Sequence, residues 1–142
     1  MSAVSAAAKR GLGDPVLAEL VMIRASQLNH CAFCLDMHLE AARKNGESED
    51  RVQLLNAWEE AGDLFSERER AALALTEAVT VLTGGTSQTK SGGGFVPDEV
   101  YDRAARHFEE AELAHLIALI TVINGWNRIM VSRRTAPGGY QP

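Results

Sequence analysis

An all-α fold is what this sequence predicts, and three observations predict it. No stretch alternates apolar and polar residues with the period of a strand, and nothing reads as a strand–helix–strand unit. Helix punctuation recurs along the chain: Asp14-Pro15, Ser66-x-x-Glu69 and Pro97-Asp98-Glu99 at starts, Gly46 and Gly62 at ends. The segment from Leu113 to Val131 is apolar nearly all round, as befits a helix central to its domain or shared with another subunit. About six helices in one domain suit a chain of 142 residues.

Residues 1–13, rich in Ala and Ser, read as a flexible segment. They lack the apolar run of a secretion signal. A single helical domain then spans 14–136. Its first helix starts at the Asp14 cap, runs to about Leu28 and carries Val16, Leu17, Leu20, Val21 and Ile23 on a broad apolar face. Arg24 falls inside that face and Glu19 at its edge, so each needs a partner or lines a cavity. The second helix runs from about residue 31 to Asn45, with Gly46 as its terminating glycine. Ser48 caps a third, with Val52, Leu54, Leu55 and Trp58 as apolar positions and Gly62 as stop. Ser66 opens a fourth that continues to about Leu82. Residues 84–95, dominated by Gly, Ser and Thr, have too little apolar surface to offset their ordering entropy and read as a flexible loop. Pro97 starts a fifth helix to about His107, and the long last helix spans roughly Glu109–Arg133 before a tail at 137–142.

Composition excludes several classes. With a net charge of −5, no run of Lys or Arg and few aromatics, no nucleic-acid partner is expected. The longest apolar run, Leu116–Ile123, is too short to cross a bilayer, so no membrane partner is expected either. No glycine-rich phosphate loop sits between a strand and a helix, so no cofactor is expected. The two cysteines lie in one motif, not a disulfide scaffold. In a cytoplasmic protein such a pair is catalytic or metal-binding.

That motif is Cys31-Ala32-Phe33-Cys34-Leu35-Asp36-Met37-His38. At roughly 100° per residue, Cys31, Cys34 and His38 share an arc of about 60° on one helix face. A thiol at the first turn of a helix meets unpaired N–H groups and the positive end of the dipole, which favour the thiolate. Three readings follow. The pair is a redox site, in which one thiolate is oxidised and the other resolves it to a disulfide. Alternatively it forms part of a metal site with His38, needing a fourth ligand from His30 or Glu19. In the third reading it is two small buried residues beside a satisfied histidine. Glu19 suits a proton shuttle, since the edge of an apolar face disfavours its charged form; a plain ion pair with Arg24 is the alternative. Trp58, Trp126 and Phe65 read as core or interface aromatics, and Asn124 and Asn127 as a polar contact between subunits.

Glu19, eleven residues, then Cys31-x-x-Cys34-x-x-x-His38, continued by Leu55-Asn56-Ala57-Trp58, Glu67–Glu77, Val96–Val100 and Ile123-Asn124-Gly125-Trp126-Asn127-Arg128, resembles the alkyl hydroperoxidase D-like (AhpD-like) branch of the carboxymuconolactone decarboxylase superfamily. The resemblance covers nearly all the chain from about residue 14. It implies an AhpD-like helical domain that assembles as a trimer or hexamer. It also implies a thiol-dependent peroxidase of the peroxiredoxin-like, antioxidant kind, with a hydroperoxide as substrate and an external thiol or dithiol as reductant. By the same resemblance Cys34 attacks the peroxide, Cys31 resolves, Glu19 is the base of a proton relay and His38 organises it. Two positions depart from the pattern. Phe33 stands where the typifying enzyme has a relay histidine. His30 stands where relatives commonly have glycine, as a substitute proton carrier or a cap at the helix start. The decarboxylase branch lacks the cysteine pair, which disfavours lactone decarboxylation. The rival readings are a redox-sensing or oligomeric interaction protein using the same disulfide, and the structural metal site.

Overall fold

The computed structural model describes residues 1–82 and 95–138. Seven α-helices follow in order: α1 (Ser2–Leu12), α2 (Pro15–Leu28), α3 (Ala32–Lys44), α4 (Glu49–Leu54), α5 (Glu67–Thr80), α6 (Asp98–His107) and α7 (Glu110–Ser132). Among the described residues there is no strand. The loop expected at 84–95 lies, Phe95 apart, outside the described residues, as do residues 139–142 of the tail. Gly138 does meet the domain, its N–H donating to Asp36 at 2.9 Å.

The first thirteen residues are corrected. They fold as helix α1, which makes seven α-helices among the described residues where about six were expected and puts the cysteine pair at the third. Four alanines favour the helix intrinsically, and Lys9 and Arg10 in its last turn suit its dipole. Packing settles it: Ala8 and Leu12 are buried against the core. Gly13, at φ 69°, ends α1 with its N–H on the Lys9 carbonyl. Gly11 is required by a close approach, because a Cβ there would sit 2.2 Å from the His115 ring on α7.

The caps expected at Asp14, Ser66 and Gly46 are in place, whereas Gly62 opens a short 3-10 turn (Gly62–Leu64) in place of ending a helix. Asp14 accepts from the Leu17 N–H at 3.0 Å, with Pro15 in the first turn of α2. Ser66 and Glu69 make the reciprocal capping box of α5. Gly46, at φ 86°, and Glu47 close α3 with bonds to the Arg43 and Ala42 carbonyls. Beyond Ser48 the chain departs from a simple helix. After α4 it tightens into a 3-10 helix at Leu55–Glu60, broken at Ala57, which brings Leu55 and Trp58 into the core.

Helix α2 is the centre of the molecule. Leu17, Ala18, Val21, Met22 and Ala25 face one apolar cluster, shared with α1, α5, α6 and α7. Leu20 and Ile23 face a second, with Ala42, Leu55, Trp58, Phe65 and Leu73. Each leucine or isoleucine so buried contributes about 1.5–3 kcal/mol by removal from water. Helix α7, long and apolar enough by length and composition to cross a bilayer, buries one face in this core through Leu113, Leu116, Leu119, Ile120 and Ile123. Its polar residues also pair within the chain. Asn124 and Asn127 both accept from the Asn29 side chain at 2.9 Å, Asn127 donates to Ser26 and Asn124 to Thr80. The contact read as lying between subunits therefore ties α7 to α2 and α5.

Candidate functional site

The site forms where α2 hands over to α3. Leu28 ends α2, and His30 takes the left-handed conformation at φ 55°. Its N–H donates to the Gln27 carbonyl and that of Cys31 to the Ser26 carbonyl, the two bonds of a Schellman turn. A residue with a Cβ is strained there, which explains glycine as the commoner choice. His30 thus turns the end of α2 and is exposed; the start of α3 is capped by Cys31, correcting the reading of His30 as its cap.

Cys31 precedes the first turn of α3, and its Sγ accepts from the Cys34 N–H at 3.3 Å. The two cysteines are joined in a disulfide, with Cα atoms 5.3 Å apart. Both are buried, Cys31 completely. Cys34 lines a cavity of about 750 Å³ between α1, α2, α3 and α7. His38, one turn after Cys34, lines the same cavity, as do Glu19 and Lys9. Met22, Phe33, Met37, Ile123, Trp126 and Met130 give it apolar walls. Of the three aromatics read as core or interface, Trp58 and Phe65 are core, and the half-buried Trp126 belongs to this wall.

Glu19 is 4% exposed and uses both carboxylate oxygens. Oε2 lies 2.8 Å from His38 Nδ1 and Oε1 lies 3.0 Å from Lys9 Nζ. Burial pushes the Glu19 carboxyl up. The hydrogen bond and charge of His38, with those of Lys9, outweigh it and hold the carboxyl below its ordinary 4.5. The expectation that its charged form is disfavoured is therefore overturned, because it assumed an unpartnered carboxylate. An ionised carboxylate only accepts, so Nδ1 carries the hydrogen of this bond, and in the neutral ring Nε2 then holds the lone pair.

Arg24 is not the partner of Glu19. Its Nε donates to Glu77 at 2.9 Å, and its Nη1 to Gln27 and Asn56. Glu77 also accepts from Trp58 Nε1 at 2.7 Å. The structure thus brings together all four residues singled out in sequence, Glu19, Cys31, Cys34 and His38, and adds Lys9. Lys9 escaped sequence reading because it lies in the segment taken as flexible. The usable signal was a run of helix-forming alanines ahead of a Gly13-Asp14-Pro15 break. Among the described residues no group of three or more His, Cys, Asp or Glu is placed to hold a metal ion.

The chain belongs to the carboxymuconolactone decarboxylase family, whose model matches residues 1–78. Two curated relatives are uncharacterized proteins. YdfG of Bacillus subtilis (strain 168) is 44% identical over 114 residues, which is 80% of this chain and 71% of YdfG. YnjA of Escherichia coli (strain K12) is 36% identical over 117 residues, 82% of this chain; the chain spans only 58% of YnjA. The fold matches, with a TM-score of 0.78 and 31% identity, the crystal structure of an Agrobacterium tumefaciens protein of unknown function, proposed to be the antioxidant defence protein AhpD. That match covers 96% of this chain and 89% of the other.

Proposed function

We propose that this protein is a thiol-dependent peroxidase, an antioxidant enzyme that reduces hydroperoxides through a Cys31/Cys34 dithiol–disulfide cycle. The single observation that carries the reading is that Cys34 and His38 line one apolar-walled cavity, with a buried carboxylate on His38 Nδ1. The AhpD-like structural neighbour supports the same direction.

The cycle starts from the dithiol. His38 Nε2 takes the Cys34 proton, while Glu19 fixes the tautomer and orientation of the ring. This exchanges the roles first expected: the histidine is the base and the carboxylate orients it. The Cys34 thiolate attacks the terminal oxygen of R–O–O–H, an S–O bond forms and the O–O bond breaks. The departing alkoxide takes the proton from His38 and leaves as the alcohol. Cys34 is now a sulfenic acid. The Cys31 thiol attacks its sulfur, the S–S bond forms, and the hydroxyl leaves as water with the Cys31 proton. An external thiol or dithiol restores the pair by exchange. Cys31, buried and fixed as the helix cap, suits the resolving role, and Cys34 on the cavity suits the attacking one. Phe33 occupies the cavity wall, so the relay runs through His38 alone. The reading includes a cytoplasmic trimer or hexamer, which sedimentation measures.

The test is peroxide consumption with a dithiol reductant. Wild type turns over, and Cys34→Ser loses turnover altogether. Cys31→Ser performs a single oxidation and stops at the sulfenic acid, read by trapping with a dimedone-type probe. Equal inertness of wild type and Cys34→Ser rejects the assignment.

A further inference from the structure

The carboxylate at the centre of this site has a second partner that the peroxidase reading does not use. Lys9 reaches across from α1 to Glu19, its Nζ at 3.0 Å and its side chain still 39% exposed. Helix α1 also walls the cavity with Ser2, Ser5 and Ala6, and it is anchored by Ala8, Leu12 and the close packing of Gly11 on His115.

A carboxylate this buried needs one compensating positive charge. We propose that Lys9 is a positioning residue for the peroxide chemistry: its ammonium at 3.0 Å keeps Glu19 ionised, so that the carboxylate accepts from His38 Nδ1–H and Nε2 is left as the base. The inference rests on the peroxidase reading, and it makes α1 part of the working site. Around Glu19 the charge inventory is short. Helix α1 brings Lys9 and α3 brings His38. At the cavity rim α3 adds Glu40 and Lys44, which pair with each other at 2.9 Å. From α7 come Ile123, Trp126 and Met130, and α5 faces α2 with Glu77, which is taken by Arg24 and Trp58.

The test measures the Cys34 thiol directly, in a Cys31→Ser background where serine keeps the helix cap and Cys34 is the only thiol. Iodoacetamide alkylation is followed from pH 5 to 8 for the parent and for Lys9→Met, Lys9→Gln and Lys9→Arg. Without the ammonium, burial is opposed by less and Glu19 takes a proton at higher pH. Protonated, it donates to Nδ1, the ring proton moves to Nε2 and the base is lost. Lys9→Met and Lys9→Gln should therefore alkylate about tenfold slower near pH 5, the value of one charged hydrogen bond, with the gap closing towards pH 8. Lys9→Arg should stay within about twofold of the parent, since it restores the charge.

Superimposed profiles for Lys9→Met and the parent, or faster alkylation without Lys9, overturn the inference. So does a Lys9→Gln profile that matches Lys9→Arg, because charge is then not what matters. The peroxidase reading is judged by a separate measurement. If the wild-type chain consumes no peroxide while alkylation still responds to Lys9, that reading fails and the role of Lys9 towards the thiol stands. If wild type turns over and Lys9→Met matches it at every pH, the role of Lys9 fails alone.

Discussion

Replacing Glu19 by glutamine tests the site more sharply than removing a sulfur, because the substitution keeps the shape and changes only which atoms can donate. In the wild type the two carboxylate oxygens accept from two donors, His38 Nδ1 and Lys9 Nζ. A carboxamide has one oxygen. If that oxygen faces Lys9, the NH₂ group faces His38 and forces Nδ1 to accept, which places the ring proton on Nε2 and removes the base. If it faces His38, the NH₂ group is pressed against an ammonium with nothing to receive either donor. Each arrangement loses a charge-assisted hydrogen bond of about 1.5–3 kcal/mol at a buried carboxylate position. Glu19→Gln should thus destabilise the fold by about 2–3 kcal/mol at pH 7, read as a shift of the urea midpoint at unchanged slope. Peroxide turnover should fall on the order of a hundredfold, the contribution of a lost general base.

The pH dependence carries its own sign. Glu19 is held below its ordinary 4.5 in the fold, so its stabilisation is fully present above that value and disappears as pH falls through the lowered one. The difference between wild type and Glu19→Gln should shrink as pH drops from about 5 to 3. A Glu19→Gln variant that keeps wild-type stability at pH 7 and turns over within twofold refutes the two-armed role of this carboxylate. So does a difference that grows as the pH is lowered.

Two further substitutions probe the frame around the site. His30→Gly should raise stability by up to about 1 kcal/mol, since it relieves a left-handed residue and gives part of that back as chain entropy; thermal melts should show it without loss of thiol reactivity. Gly11→Ala should destabilise by about 1–3 kcal/mol, because its Cβ meets the His115 ring; His115→Ala in the same chain should recover most of the loss, and a double-mutant cycle showing no coupling rejects that contact.

Sequence was most informative where the physics is local. A cap depends on a few neighbouring residues, and Asp14, Ser66 and Gly46 each do in space what their neighbours dictate. The arc of Cys34 and His38 on one helix face follows from a single repeat length. What escaped was decided across helices. Nothing near Glu19 in sequence announces Lys9 ten residues before it, because the pairing needs α1 to fold back over α2. Helix α1 itself has no side-chain cap, and it is held by Ala8 and Leu12 in the core and by the close approach of Gly11 to His115 of α7, which no local pattern reveals. The amides of Asn124 and Asn127 were legible as buried and polar. Whether they served another subunit or their own depended on Asn29, ninety-five residues away in the chain.

The closed disulfide links residues only three apart. A ring that small restricts the unfolded chain little, about 2 kcal/mol in the chain-entropy view, against about 3 for a fifteen-residue loop. The backbone around it is already fixed, by the Schellman turn on one side and by the cap of α3 on the other. Opening the bond therefore releases no distant part of the molecule. A scaffold held by local backbone bonds on both sides of the pair would suit the cycling proposed above better than a latch.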